Sequence, residues 1–235
     1  MEQAQYAPQE RVRMLAMRRT IFVGSAAAAP VVQAAASDAI AEQLRRRYAQ
    51  LLERAGVAAD GAAWFARAGE AAIESLRLSG ELTGADLGRA TPLLQTKVLL
   101  AEGKAYSTNS NITGWVTNIL AAEGRILRGR PLGSWTGNHY RWRLADRPPP
   151  STSPEARAAA RAELARRWLV AFGPATVADV QWWTGWSLGE TRAALAAIQT
   201  AAVDLDGISG VALAEDDEPP VDPGPWVALL PALDP

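Results

Sequence analysis

Residues 125–144 read RILRGRPLGSWTGNHYRWRL, and this stretch decides the fold class. Aromatic or apolar residues alternate with arginine over residues 140–144, which is typical of a β-strand with one packed face. Residues 125–130 have the composition of a partner strand, and the Pro, Gly and Asn residues between the two runs indicate a turn. We therefore expect a basic β-hairpin.

Three helical segments are predicted before this hairpin. Residues 64–78 carry apolar side chains at helical spacing, and Thr83 is a candidate N-cap for a short helix over residues 84–89. A third helix is expected over residues 107–123. Three helices followed by a hairpin form the winged-helix arrangement, which is a variant of the helix-turn-helix.

The same order recurs after a linker at residues 146–154, which contains three consecutive prolines. Helices are predicted over residues 154–172, 177–183 and 188–198, followed by a small hairpin within residues 203–213. Thr176 and Ser187 are each followed three residues later by an acidic residue, which is the pattern of an N-terminal cap. The predicted fold is mainly α with small β-hairpins, built from tandem winged-helix modules.

The predicted domain organisation starts with an N-terminal helical segment. Within it, residues 11–23 are expected to form a helix that turns into a short strand at Thr20–Val23, and residues 30–52 a long helix. The expected divisions are residues 1–58 for this segment, 59–147 for a winged-helix module with a basic wing, 152–218 for one with an acidic wing, and 219–235 for the start of a further domain.

The net charge of −1 hides an uneven distribution of charge along the chain. Residues 1–150 contain 19 Arg and Lys against 13 Asp and Glu, whereas residues 151–235 contain 5 against 12. Nucleic-acid binding requires a local positive surface rather than a high overall isoelectric point. The first part of the chain is therefore the predicted DNA-binding part, although a genome that favours Arg codons is an alternative source of the arginines.

Several classes of site are excluded by composition. The chain has no Cys and one His, so disulfides, thiolate metal sites and a Cys nucleophile are absent, and neither a metal site nor a cofactor is expected. No apolar run is long enough to span a membrane and the N-terminus does not resemble a signal peptide, which predicts a cytoplasmic, nucleoid-associated protein. No dimerisation helix is evident, so a monomer is expected.

The third helix and the wing of the first module carry the predicted contacts with double-stranded DNA. Thr113 and Thr117 lie on the predicted polar side of the helix, and Arg128, Arg130, Arg141 and Arg143 are predicted to form one stripe along the phosphate backbone, since alternate residues of a strand share a face. Such polar and cationic side chains suit phosphate oxygens and base edges. A solvated polar face on a hairpin is the alternative interpretation. The predicted DNA-binding residues are Lys104, Ser107, Asn109, Asn111, Arg125, Arg128, Arg130, Ser134, Arg141 and Arg143.

Four of the nine tryptophans, Trp168, Trp182, Trp183 and Trp186, fall in the second module. A base-stacking platform is one interpretation of this cluster. Packing inside the module is the favoured one, because aromatic residues at helical spacing usually pack against a core.

Short motifs along most of the chain resemble the winged helix DNA-binding domain-containing family, whose characterised relatives are DNA glycosylases that unhook alkylated bases and interstrand crosslinks. The matching stretches include MLAMRRTIFV at residues 14–23, AAEGRILRGR at 121–130, FGPAT at 172–176, WWTG at 182–185 and LLPALDP at 229–235.

This resemblance implies tandem winged helices around a DNA channel, a C-terminal β-barrel and a role in DNA repair. It also implies a catalytic pair of polar residues that position the attacking water, and Gln3 and Gln5 match that motif. Relative to the family, the chain is expected to be truncated at both ends, with residues 1–58 as the remnant of a first winged helix and residues 219–235 as the start of the barrel. A non-catalytic DNA-binding protein, a transcriptional regulator and a protein-interaction module remain alternatives.

Overall fold

The computed structural model describes residues 11–100, 108–133, 139–146 and 153–216. It begins with an antiparallel hairpin of β1 (Arg11–Leu15) and β2 (Ile21–Ser25), joined by a 3-10 turn at Met17–Arg19. The prediction that a helix starts at residue 11 is wrong. Met14 lies opposite Phe22 in the hairpin and both pack into a hydrophobic core, so strand pairing and burial override local helical preference.

A long helical segment follows the hairpin. It consists of α1 (Ala29–Val32), a π-helical turn (Gln33–Ser37) and α2 (Asp38–Arg54), where the sequence predicts a single regular helix over residues 30–52. A π turn inserts an extra residue and so rotates everything after it by about 100° relative to an uninterrupted helix. The two ends of the segment therefore present differently oriented faces to their neighbours.

The first repeat of the fold runs from α3 (Gly61–Ser79) through the short strand β3 (Leu82–Thr83) to α4 (Gly84–Ala90). An additional hairpin of β4 (Lys97–Leu100) and β5 (Thr108–Asn111) precedes α5 (Ile112–Ala122). The predicted third helix therefore starts at residue 112 and not at 107. The predicted basic hairpin is present as β6 (Ile126–Pro131) and β7 (Tyr140–Leu144), and β3 pairs with β7 to give the sheet order β3–β7–β6.

The second repeat has the same order of helices followed by a hairpin, without the additional hairpin that β4 and β5 form in the first. It contains α6 (Pro154–Phe172), α7 (Val177–Thr184), α8 (Leu188–Ala196) and a hairpin of β8 (Thr200–Leu205) and β9 (Ile208–Leu213). Between α6 and α7, Ala175 forms an antiparallel bridge with Val211 of β9, as β3 does with β7. The sheet topology of the first repeat is thus reproduced in the second.

The predicted helix caps explain where the helices of the second repeat begin. Thr176 and Ser187 each accept a hydrogen bond from the backbone N–H of the acidic residue three positions later. The carboxylates of Asp179 and Glu190 accept bonds from Thr176 and Ser187 in return, which completes two capping boxes. The hydroxyl of Thr176 holds the pKa of the Asp179 carboxyl below its usual range.

Two hydrophobic cores lie on either side of the long helical segment, which contributes to both. Ile40 and Leu44 of α2 pack with α3, α4 and α5 in the first core, whereas Ala35 and Ala36 of the π turn pack with α6 and Trp186 in the second. The buried indole Nε1 of Trp186 donates a hydrogen bond of 3.0 Å to the carbonyl of Ala35. This bond ties the second repeat to the N-terminal segment.

We expect Trp186→Phe to lower the free energy of unfolding by about 1–3 kcal/mol, because the carbonyl of Ala35 then loses its donor and a small cavity remains. Urea unfolding of the variant measures the loss. Leu78→Ala is the control, since Leu78 is 78% exposed and its removal should change stability by less than about 0.5 kcal/mol. Equal stability of Trp186→Phe and the parent would show that the bond contributes nothing.

Candidate nucleic-acid interface

The helix α5 occupies the place of the third helix of the first repeat, and most of its surface is buried. Thr113 and Thr117, which the sequence places on a polar side of this helix, are both buried. The hydroxyl of Thr113 donates to the carbonyl of Leu94 and that of Thr117 to the carbonyl of Thr113. These hydroxyls satisfy the backbone within the protein and do not face a ligand.

The start of α5 presents two of the predicted DNA-binding residues to solvent. Asn111 is the N-cap, and its side-chain oxygen accepts a hydrogen bond of 2.9 Å from the backbone N–H of Thr113. Asn109 lies two residues earlier in β5 and is also exposed. In β-strand geometry the two side chains point to the same face, so they form one exposed amide patch.

The register of the wing strands separates the arginines instead of aligning them in one stripe. Arg128 lies opposite Trp142, and Leu127 lies opposite Arg143. Directly opposed residues share a face, so Arg128 lies on the packed side with Trp142 while Arg141 and Arg143 lie on the other side. The pairing then shifts by one residue before Pro131.

Arg128 is engaged by aromatic rings on the packed side. Its guanidinium carbon lies 4.4 Å from the ring centre of Tyr140 and 5.3 Å from that of Trp142. The two rings meet edge to face at 5.1 Å. This cation–π cluster fixes Arg128 in the protein and gives it a structural role in addition to any contact with a ligand.

Arg125 and Arg143 are paired with carboxylates. Arg125 contacts Glu70 at 2.8 Å and Glu123 at 3.9 Å, while Arg143 contacts Asp146 at 3.2 Å. Arg141 is exposed and has no acidic partner among the residues that the structure describes. Among the wing arginines whose side chains the structure describes, Arg141 is therefore the one whose guanidinium is most open to an anion.

The remaining predicted site residues lie where the structure gives no side-chain description. Gln3, Gln5, Lys104, Ser107 and Ser134 fall outside the described residues, as does the side chain of Arg130. Their roles stay predictions. Among the described residues, no group of three or more His, Asp and Glu side chains could hold a metal ion. The described helices include none that is long and apolar enough to cross a membrane.

The tip of the β1–β2 hairpin carries cations that the sequence analysis did not single out. Arg18 and Arg19 adopt left-handed backbone conformations, with φ of 55° and 60°, and both side chains are exposed. The guanidinium carbon of Arg18 lies 4.1 Å from the ring centre of Trp182 on α7. The sequence feature that indicates this tip is the Arg18–Arg19 pair. It separates residues 11–15 from residues 21–25, and these two runs pair as antiparallel strands.

The tryptophan cluster divides into buried and exposed members. Trp168 and Trp186 are buried in the second core, as the sequence analysis favoured, and Trp183 is half-buried with its ring edge to face against Phe22 at 5.7 Å. Trp182 is 58% exposed, so its ring does not serve the core.

Comparison with known proteins gives one family and one solved structure. A family model described as "DNA glycosylase AlkZ-like" matches residues 1–235. The DNA glycosylase AlkZ of Streptomyces sahachiroi has a similar fold, with a TM-score of 0.56 and 18% sequence identity. The match covers 89% of this chain and 54% of that protein, so the chain spans about half the length of this relative. No curated protein matches the sequence significantly.

We expect Arg128→Ala to lower the free energy of unfolding by about 0.5–2 kcal/mol, because it removes the cation from the Tyr140 and Trp142 rings. Arg141→Ala should leave stability unchanged within about 0.5 kcal/mol, since its side chain is exposed and unpaired among the described residues. Chemical denaturation of the two variants side by side makes the comparison. Equal losses would contradict the assignment of the two arginines to opposite faces.

Proposed function

Since the chain belongs to the AlkZ-like DNA glycosylase family, we propose that it binds double-stranded DNA through its first repeat and acts on that DNA as a glycosylase. The observation that carries the proposal is the topology of the two repeats. Each has a helix, a short extended segment, two further helices and a hairpin in sequence, with the β4–β5 hairpin inserted before the third helix of the first repeat. In each, the extended segment, which is β3 or the single residue Ala175, pairs with the last strand of the hairpin. This is the order of elements of a winged helix, so we assign residues 59–147 and 152–218 to two such modules.

The proposed DNA-contacting surface of the first module consists of the outer face of its wing and the amide patch at the start of α5. Arg141 and Arg143 share that outer face, and Asn109 and Asn111 supply neutral donors for phosphate oxygens. The ion pair between Arg143 and Asp146 is weak because the Asp146 side chain is exposed to solvent. A phosphate can therefore replace the Asp146 carboxylate with little loss of free energy.

The second module differs from the first in its charge. Asp204 and Asp206 lie at the tip of its hairpin, and Glu215 follows β9. Carboxylates repel phosphate, so this wing faces away from DNA in the proposal. The contact through the first module accords with the excess of basic residues in the first part of the chain.

The burial of α5 favours a protein that makes few sequence-specific contacts with bases. A sequence-specific regulator inserts the polar side of this helix into the major groove. Here the hydroxyls of Thr113 and Thr117 are directed to backbone carbonyls inside the protein. Recognition through the phosphate backbone suits a repair enzyme, whose target is a damaged base in any sequence, better than a regulator.

The chemistry of the proposed reaction is hydrolysis of the bond between an alkylated base and its deoxyribose. Gln3 and Gln5 are proposed to hold the attacking water, as the family resemblance implies. An amide side chain accepts hydrogen bonds at its oxygen and donates two from its nitrogen, so it can orient a water molecule towards the sugar carbon. The bond between the base and the sugar carbon breaks, and a cationic N7-alkylguanine departs as a neutral base with the bonding electrons. The water oxygen bonds to the sugar carbon as a hydroxyl, and the remaining proton of the water passes to solvent.

Charge reversal on the outer face of the wing tests the binding part of the proposal. In Arg141→Glu/Arg143→Glu, the slope of log affinity against log salt should become shallower by about 2, because each lost phosphate contact removes about 0.9 from the slope. Fluorescence anisotropy with one duplex at several salt concentrations measures it. Arg54→Glu, which reverses an exposed charge at the end of α2, is the control. An unaltered slope in the double variant would remove the wing from the interface.

Release of the base tests the catalytic part. We expect the protein to convert an N7-alkylguanine duplex into abasic product, with Gln3→Ala/Gln5→Ala at least about 100-fold slower, because loss of water positioning usually costs this much. Chromatography of the released base measures the rate, and anisotropy on the same duplex shows that binding persists. Salt-sensitive binding without any release would instead establish a non-catalytic DNA-binding protein.

A further inference from the structure

The turn that joins β1 to β2 is held in place by burial and hydrogen bonds. Ala16 and Met17 are buried in the second core. The backbone N–H of Arg19 donates to the carbonyl of Ala16, and that of Ala16 donates to the carbonyl of Thr20, both at 2.9 Å. The chain reverses between these anchors, and this reversal requires the left-handed backbone of Arg18 and Arg19.

A left-handed backbone disfavours any residue with a Cβ, and glycine is the ordinary solution at such positions. Two consecutive arginines in this conformation are therefore unusual for a turn with only a structural purpose. Strained residues of this kind concentrate at sites that contact ligands. Both guanidinium groups are exposed, and neither has an acidic partner among the described residues.

The turn docks against α7 of the second repeat through a close contact. Gly185, which has a φ of +73° and follows α7, lies so near that a Cβ there would be 3.3 Å from Cγ of Arg18 and 3.4 Å from its backbone nitrogen. Arg18 thereby reaches across the ring of Trp182. The acidic side chains of this region already have partners. The Asp179 carboxylate accepts a hydrogen bond from the backbone N–H of Thr176, and the Glu190 carboxylate accepts one from Ser187 and pairs with Arg161.

Trp182 combines with these arginines into one surface. The ring is 58% exposed, and Arg18 lies over it. Exposed aromatic rings beside cations are the usual platform for unpaired nucleotides, because the base stacks on the ring while the cation contacts its phosphate. A fully paired duplex offers no free base face to such a ring.

We propose that Arg18, Arg19 and Trp182 form a second DNA contact that binds an unpaired nucleotide, with the base on Trp182 and the phosphate at Arg19. This proposal rests on the proposed function, since it assumes that the protein meets DNA at its first repeat. It adds that a single unstacked nucleotide is bound at the second repeat, whose own hairpin is acidic.

The test compares anisotropy titrations of two DNA duplexes that differ by one bulged, unpaired nucleotide. The parent protein should bind the bulged duplex about 5- to 100-fold more tightly, which is the range of base–aromatic stacking. Trp182→Ala should remove the preference while leaving the affinity for the paired duplex unchanged. Trp182→Phe should restore most of it, because a smaller ring still stacks.

Two further variants separate a ligand contact from a structural role. Arg19→Gly relieves the left-handed conformation, so it should keep or raise the melting temperature and still weaken binding of the bulged duplex about 3-fold or more. Phe172→Ala is the matched control, since Phe172 is 57% exposed on α6 and its loss should leave the preference intact.

The outcomes distinguish the two proposals. Equal binding of both duplexes by the parent, with Trp182→Ala unchanged, would overturn the second contact and leave the proposed function standing. A preference that survives in Trp182→Ala would also overturn it. Absence of binding to either duplex at low salt would overturn the proposed function itself.

Discussion

The structure depends on the helical segment from α1 to α2, whose buried side supplies side chains and carbonyl groups to two cores at once. Its π turn places Ala35 against the second core, where the indole of Trp186 binds the Ala35 carbonyl, and α2 then packs Ile40 and Leu44 into the first. Gln33 donates to the carbonyl of Ala122 at the end of α5, at 2.8 Å. Each of these polar contacts satisfies a buried group whose loss would cost about 1–3 kcal/mol, so the segment holds the two repeats in a defined relation.

The same segment determines where the β1–β2 hairpin lies. The hydroxyl of Ser37 donates to the carbonyl of Leu15 at 2.7 Å, and Met14 and Met17 are buried in the second core. With both strands anchored, the turn between them has no freedom to choose a relaxed conformation. The exposed arginines at its tip are a consequence of what is buried on either side.

The positions of helices and strands with short-range sequence patterns could be predicted from the sequence. Which of their side chains are buried and which are exposed could not. The capping residues Thr176 and Ser187 and the alternation in residues 140–144 located helices and strands correctly because these signals act over four or five residues. The tryptophans illustrate the limit. Trp182 and Trp183 are adjacent, so composition treats them alike, and the long-range packing of Phe22 and Trp168 against Trp183 decides which one is covered.

The candidate site shows the same limit for different physical reasons. Thr113 and Thr117 suggested a polar helix face, but hydroxyls can bond to backbone carbonyls and so enter a core without cost. Arg128 suggested a stripe with Arg141 and Arg143, but strand register, which depends on long-range pairing, put it on the side of the aromatic rings. The hairpin tip was missed because its strands are only five residues long and their packed face carries few apolar side chains, Val12, Met14 and Phe22.

The two repeats differ in charge, and this difference explains why the tip of the β1–β2 hairpin belongs to the proposed interface. In the second repeat, Asp206 has a left-handed φ of 53° at the hairpin turn and the Asp204 carboxylate accepts a hydrogen bond from the backbone N–H of Gly207, so both residues are part of the turn. A wing made this way cannot also attract phosphate. Arg18 and Arg19, carried in by a different part of the chain, bring to α7 the cations that this wing lacks. In the two proposals, a protein with two modules of one topology thereby has two different DNA contacts, one from the wing of its first module and one from the N-terminal hairpin.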